Sequence, residues 1–214
     1  MCGVWGLKPT HFTISGKQTS QSVAFSTCVA GPLAGSAIDL TLGFAALSGR
    51  RENDIHSQKQ PRDLKLNQIK LSDPNFFSLA GKKIGIHTEL FEDVKDQRIV
   101  KLCREFIQNV FCSVYGAEID ESLKIPLLEV GRVAHLVSIA GEMRNGMNDY
   151  GYSEYSIRSQ LCPETRMSLL SQQYVSSSQY ISAQRVRAHQ MEELKNIFEK
   201  VEVIATPTVA CIGK

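Results

Sequence analysis

The strongest periodicity in the chain lies after Asp93, where Val100, Cys103, Phe106, Ile107, Val110, Phe111 and Val114 fall on one face at helical spacing. Gly116 supplies the stop. Residues 83–87 alternate as a strand does, and residues 117–120 resume an extended pattern, so this region predicts a strand, helix, strand unit of the kind that builds parallel sheets. Upstream, Gly31-Pro32 marks a turn, and Ser36 and Asp39 have capping-box spacing. Ile38, Leu42, Ala45 and Ala46 form a stripe that stops at Gly49, which predicts a helix of about three turns. Pro126 opens another helical segment through Ile139. Residues 141–155 then form a glycine-containing stretch with Tyr150, Tyr152 and Tyr155, read either as a pocket lining or as a surface loop with half-buried tyrosines. From Glu164 to Lys200 a stripe of Met167, Leu170, Tyr174, Ile181, Ala188, Met191 and Phe198 predicts one long core-facing helix or two in series. Residues 50–80 are irregular, mostly polar, and expected to be an exposed excursion.

The two ends do not look like termini. Met1 to Thr10 is apolar, glycine-rich and strand-like. Residues 201–205 read as a buried strand, and the chain ends shortly after Thr206-Pro207-Thr208. Frayed polar ends are the rule, so further sequence, or another chain, is expected beside both.

Composition narrows the class more than the function. Within 214 residues, 43% are hydrophobic and 21% charged, and 24 Lys and Arg face 22 Asp and Glu for a net charge of +2. This is a globular composition, and its charge is too small and too even to favour a nucleic-acid partner. The apolar runs are too short to cross a bilayer. The six cysteines include no CxxC pair and no zinc spacing. They read as reduced thiols of an intracellular protein, in the cytoplasm or at an endomembrane surface, with Cys28, Cys103 and Cys112 as core packing. No cofactor and no metal site is expected.

Candidate chemistry is sparse when the residues are taken alone. No GxSxG, GxGxxG, P-loop, HExxH or SxxK spacing is present. The five histidines, His11, His56, His87, His135 and His189, are scattered. His135, between Ala134 and Leu136, reads as a hydrogen-bonded core residue. Arg185 and Arg187 suit either an anion site or a solvated helix face. The strand, helix, strand unit lacks a glycine-rich loop after Ile86, which argues against a phosphate-binding module.

Three motifs in order change this picture. Cys2-Gly3-Val4-Trp5-Gly6-Leu7-Lys8-Pro9-Thr10, then Gly31-Pro32-Leu33-Ala34 with Ser36 and Asp39, then Val203-Ile204-Ala205-Thr206-Pro207-Thr208 resemble landmarks of the amidase signature family. Ile125-Pro126-Leu127-Leu128-Glu129, residues 134–139, and Tyr180-Ile181 with Ala183-Gln184 are most similar to the plant fatty acid amide hydrolases. The resemblance implies an α/β/α fold around a mixed sheet flanked by helices, with residues 1–214 forming the C-terminal portion of a single amidase domain. It also implies amide hydrolysis by a serine, cis-serine and lysine triad, with an oxyanion held by backbone N–H groups. In the family all three triad residues precede the position of Cys2. No catalytic residue is therefore assigned here: Lys8 belongs to the Gly-Leu-Lys-Pro motif, and Ser176, Ser177 and Ser178 sit in a helical pattern without flanking glycines. His11-Phe12-Thr13 departs from the family's usual Gly-Arg-Val.

The resemblance implies that the region from Gly141 to Tyr180 lies near the substrate, with Gly151 and Tyr152 as candidates by location only. No substrate-binding residue is assigned. The expected partner of the complete enzyme is an acyl amide such as an N-acylethanolamine, and peripheral membrane contact and a homodimer are left open. The alternative is a non-catalytic pseudoenzyme that binds lipid or a partner on the same scaffold.

Overall fold

A computed structural model describes residues 3–16, 24–59 and 78–211. Cys2, the C-terminal lysine and residues 60–77 of the polar excursion lie outside the described residues. The chain divides into two compact units, one of Ile69–Leu128 with Ala188–Lys214, the other of Cys2–Gln68 with Glu129–Arg187.

The first unit is built on a parallel three-stranded sheet. Its strands are β3 (Lys83–Ile86) in the centre, β4 (Glu118–Asp120) on one side and β5 (Val203–Ala205) on the other. Ile84 is in register with Ile119 and with Val203. The predicted strand, helix, strand unit is thus present, with α2 (Thr88–Glu92) and α3 (Gln97–Phe106) in the crossover. Asp96 caps α3 by accepting the Arg98 N–H at 3.1 Å. The helical face continues past Phe106 as a π-helical turn, Ile107–Cys112, and this extra residue per turn brings Ile107 and Phe111 against the sheet.

Ile86, Phe91 and Ile107 form the core on this side, with Val100, Cys103, Ile119 and Ala205 packed around them. A second cluster, Leu123, Ile197 and Val201, packs with Ile125, Leu194 and Ile204. Each fully buried side chain of this size contributes roughly 1.5–3 kcal/mol. Between strand and cluster the fit is tight: a Cβ on Gly85 would lie 2.9 Å from Leu123 Cδ2 and 3.2 Å from Val201 Cγ2.

The second unit opens with an antiparallel ribbon of β1 (Trp5–Gly6) and β2 (Leu33–Ala34), paired Trp5 to Ala34 and Gly6 to Leu33. The predicted helix follows as α1 (Ala37–Leu47). Ser36 caps it as its spacing requires, with Oγ accepting the Asp39 N–H at 3.1 Å. The unit continues with α4 (Leu128–Asp149), α5 (Tyr155–Arg158), α6 (Pro163–Gln172) and the start of α7 (Ser177–Phe198).

Several expectations are corrected. The helix after Pro126 does not end at Ile139 but runs to Asp149, so most of the glycine-containing stretch is helix. Gly141 and Gly146 are tolerated there because packing replaces propensity: Gly146 is buried, and the Tyr180 ring occupies the space above Gly141. The stripe from Met167 to Phe198 belongs to two helices in series, and it does not face the core. Met167, Leu170, Tyr174, Ile181, Met191 and Phe198 are exposed, whereas Leu169, Ala183 and Ile197 are the buried positions. His135 is exposed on α4, and the buried histidine is His87, whose Nδ1 lies 3.3 Å from the Leu123 carbonyl oxygen.

The described start of the polar excursion also folds inward. Asp54 and Ser57 are buried, held by the Ser57 hydroxyl on the Asp54 carbonyl at 2.9 Å and by Ser15 Oγ donating to Asp54 Oδ2 at 2.5 Å. Burial alone would push the Asp54 carboxyl up, but the Ser15 hydroxyl and the His56 and Ser57 N–H groups together hold it below its ordinary value. Because the folded pKa is depressed, the stabilisation is complete above the unfolded value of about 4 and is lost as pH falls through the folded one. Asp54→Asn is therefore expected to flatten the acid limb of the stability curve, measured by urea unfolding between pH 6 and 3. An unchanged slope would show that Asp54 contributes nothing to it.

Candidate functional site

The second unit gathers its polar side chains between α4, the start of α7 and the turn at residues 24–28. On α7, Tyr180, Gln184 and Arg187 share one face at intervals of three and four residues. Gly141 on α4 lets that face approach, since a Cβ there would sit 3.1 Å from Tyr180 Cδ2. One turn earlier, buried Ser138 donates to the Ala134 carbonyl at 2.8 Å and accepts from Gln184 Nε2 at 2.9 Å. The α7 N-terminus is itself fixed by a capping box. Ser176 Oγ accepts the Gln179 N–H at 3.2 Å, and Gln179 Oε1 accepts the Ser176 N–H at 2.8 Å. Ser176 is therefore a helix cap, and Ser177 and Ser178 open the helix.

Glu142 is the hub. Its Oε2 accepts the Ser26 N–H at 2.7 Å, and its Oε1 accepts both the Ser26 hydroxyl and the Tyr180 hydroxyl, the latter at 2.9 Å. Arg187 closes the network from the other side, donating from Nη1 to Ser26 Oγ at 2.6 Å and from Nη2 to the Ser26 carbonyl at 2.7 Å. Ser26 thus stands between a carboxylate and a guanidinium, giving its proton to the first and its lone pair to the second. The four side chains form a clamp that ties the turn at residues 24–28 to α4 and α7. Burial first, then the Glu142 hydrogen bond and charge, pushes the Tyr180 phenol up.

Beside the clamp, Phe12, Phe25, His11 and His56 form an aromatic group. His11 stacks on Phe12 at 3.8 Å, Phe12 on His56 at 4.7 Å, and Phe25 meets His56 edge-on at 4.8 Å. Burial and then the Arg187 charge hold His11 below its ordinary value, so it is neutral at pH 7. Phe12 adopts φ 63°, a conformation that costs a non-glycine residue free energy and lies in the segment where this chain departs from the family's usual Gly-Arg-Val. Lys8 Nζ donates to the Pro9 carbonyl at 3.2 Å.

An open pocket of about 360 Å³ adjoins the hub, lined by Glu142, Asn145, Val175, Ser176, Ser177 and Tyr180 among others. It falls within the region singled out from Gly141 to Tyr180, but not at the tyrosines named there: Tyr150 and Tyr155 are exposed, and Tyr152 and Gly151 only half-buried. Arg187 takes neither of its expected roles in full, being half-buried against Ser26, whereas Arg185 lies on the exposed face. Glu142 and Ser26 carried no sequence signal of their own, because each is an ordinary residue at an ordinary helical or turn position, whereas Tyr180 stood in the Tyr180-Ile181 segment that resembles the plant enzymes. Truncating the hub, Glu142→Ala, is expected to destabilise the fold by about 2–4 kcal/mol, since it strands the Ser26 N–H and removes the acceptor of the Ser26 and Tyr180 hydroxyls. Glu142→Gln should cost less, because it keeps an acceptor. Denaturant midpoints rank the two, and equal midpoints would remove the acceptor from the account.

The sequence matches the model of the family described as Amidase over residues 1–212. The chain belongs to the Amidase family. It is 35% identical over 218 residues to a fatty acid amide hydrolase of Oryza sativa subsp. indica, covering 97% of this chain and 33% of that protein. The fatty acid amide hydrolase of Arabidopsis thaliana is 32% identical with the same coverage, 97% and 33%. One subunit of the glutamyl-tRNA(Gln) amidotransferase of Cyanothece sp. is 26% identical, covering 97% of this chain and 45% of the other. The Amidase chain spans about a third of the length of its plant relatives, at 33%.

Solved structures agree on the fold. A chain from work on a vestigial protein complex and the origins of an s-triazine catabolic enzyme superposes with TM-score 0.72 at 24% identity, over 94% of this chain and 40% of that one. The corresponding subunit of the Thermotoga maritima glutamyl-tRNA(Gln) amidotransferase gives TM-score 0.70 at 20% identity, over 98% and 43%. The expected α/β fold of the amidase signature enzymes, with sheets flanked by helices, is therefore the fold of this Amidase chain. Among the described residues, no helix is long and apolar enough to cross a membrane.

Proposed function

We propose that this chain is the C-terminal portion of a single amidase domain whose complete form hydrolyses the C–N bond of long-chain acyl amides such as N-acylethanolamines. The observation that carries this reading is the 35% identity to the rice fatty acid amide hydrolase across 97% of the chain, against 26% to an amidotransferase over the same share. In this reading the portion supplies strands, covering helices and part of the acyl-binding wall, while the serine, cis-serine and lysine come from the segment that precedes it in the relatives. The clamp of Glu142, Ser26, Tyr180 and Arg187 serves as scaffold: it fixes the turn at residues 24–28 against α4 and α7 and performs no chemistry. The complete enzyme acts in the cytoplasm or at an endomembrane surface.

The purified 214-residue chain is expected to hydrolyse no N-acylethanolamine above background, because triad and oxyanion hole account for most of such an enzyme's rate enhancement. Joined to the segment of the rice enzyme that precedes the aligned region, it is expected to turn the substrate over. Turnover by the chain alone that is abolished by replacing one of its own serines would falsify the assignment of the triad to the absent segment.

A further inference from the structure

The pocket beside the clamp carries one formal charge, and it is negative. Glu142 lines it together with neutral residues, and no lysine, arginine or histidine joins them among the described residues. Arg187 is engaged by Ser26 and forms no part of this lining. A carboxylate has about four lone-pair positions. Three are taken, by the Ser26 N–H, the Ser26 hydroxyl and the Tyr180 hydroxyl, and two of those fall on Oε1, so Oε2 has room for another donor. Tyr180 gives its proton to Glu142, and its oxygen remains an acceptor. Burial and then Glu142 push the phenol up, which keeps that proton in place at neutral pH. Asn145 stands exposed on the rim, and its side-chain carbonyl makes a third acceptor. Donors come from Ser177, which opens α7, because the first N–H groups of a helix have no partner within it.

We propose that this pocket of about 360 Å³ binds a small primary ammonium that carries a hydroxyl, the 2-amino alcohol class, with its nitrogen against Glu142 and its oxygen toward Ser177. An ammonium has three donors and no acceptor, which matches Glu142, Tyr180 and Asn145 in number and kind. The hydroxyl oxygen meets the donors at the start of α7, and the short carbon link lies along Val175. Other ligand classes fit less well. An anion meets the Glu142 charge, and a metal ion finds a single carboxylate, since no group of three His, Cys, Asp or Glu gathers among the described residues. The inference goes beyond the proposed hydrolysis and stands on groups of the second unit alone.

The 214-residue chain, labelled with carbon-13 in its tyrosine rings, is titrated with 2-aminoethanol at pH 7 and followed by NMR. The Tyr180 resonance is identified by its loss in Tyr180→Phe. The expected result is a saturable shift of that resonance with a Kd of about 1–10 mM, in keeping with so small a ligand in an open pocket. Choline, which lacks N–H donors, and propylamine, which lacks the hydroxyl, should each bind at least about threefold more weakly, and acetate at equal ionic strength should not bind. Asn145→Lys should weaken 2-aminoethanol by at least about tenfold, whereas Asn145→Asp should tighten it about threefold, because a second carboxylate adds attraction for the cation. Both substitutions lie at an exposed helical position outside the clamp and are compatible with folding, and a gain in affinity cannot come from misfolding. The inference is overturned if the shift does not saturate, if acetate or choline binds as tightly as 2-aminoethanol, or if Asn145→Lys binds as the parent does.

Discussion

Catalytic efficiency of the completed enzyme is expected to rise steeply with acyl-chain length, by more than about a hundredfold for four added methylenes bound in the transition state. A buried methylene contributes about 0.8 kcal/mol, so four contribute roughly 3 kcal/mol, and this raises kcat/KM only where the chain stays bound as the carbonyl is attacked. The motivation is the likeness of residues 125–139 to plant fatty acid amide hydrolases, together with the apolar side chains that α6 and α7 leave exposed, Met167, Leu170 and Ile181. A small-amide amidase with a closed polar pocket makes the opposite prediction. The measurement is kcat/KM for acetamide, a medium-chain amide and a long-chain N-acylethanolamine, using this chain joined to the N-terminal segment of the rice relative. A flat or falling series removes the lipid reading and leaves amide hydrolysis standing.

Gly31→Ala is expected to destabilise the fold severely. A Cβ at this position would lie 1.9 Å from the Leu7 carbonyl oxygen, 3.0 Å from its carbon and 3.1 Å from Pro9 Cδ. The nearest atom is backbone, so no side-chain rotation relieves the clash, and the segments must separate. Separation breaks the Leu7 N–H to Pro32 carbonyl bond of 3.1 Å and then the pairing of Trp5 with Ala34. The expected cost is about 3–4 kcal/mol, at the upper end for overpacking. Gly35→Ala is the control, because nothing lies within 4 Å of its Cβ. Thermal and denaturant melts of the two variants should differ sharply. Equal melts would mean that the ribbon contributes nothing to stability.

The Gly31-Pro32 turn shows what a motif does and does not disclose. Its residues announced a turn, but the reason for the glycine, a backbone oxygen 1.9 Å from where a Cβ would be, appears only when Leu7 is brought beside it. The same division holds along the chain. Local chemistry was enough for the Ser36 cap and for the presence of β3, α3, β4 and β5, because capping groups and hydrophobic period act over a few residues, but not for the burial expected of the last strand, where Val203 is exposed. Family membership was likewise legible, carried by three ordered motifs and matched over residues 1–212.

Tertiary structure alone decided which apolar residues are buried and where the polar hub lies. Period places Met167, Leu170 and Ile181 on a common stripe, but whether a stripe meets a neighbour depends on what is packed there, and here Leu169 and Ala183 face inward instead. α4 continues through Gly141 because the Tyr180 ring fills the space that a side chain would need, a long-range contact that outweighs glycine's local cost of about 1 kcal/mol. Glu142, Ser26 and Arg187 meet across as many as 161 positions of sequence. Hydrogen bonds form between neighbours in space, and nothing in a serine at a turn or a glutamate on a helix states which neighbour it will have.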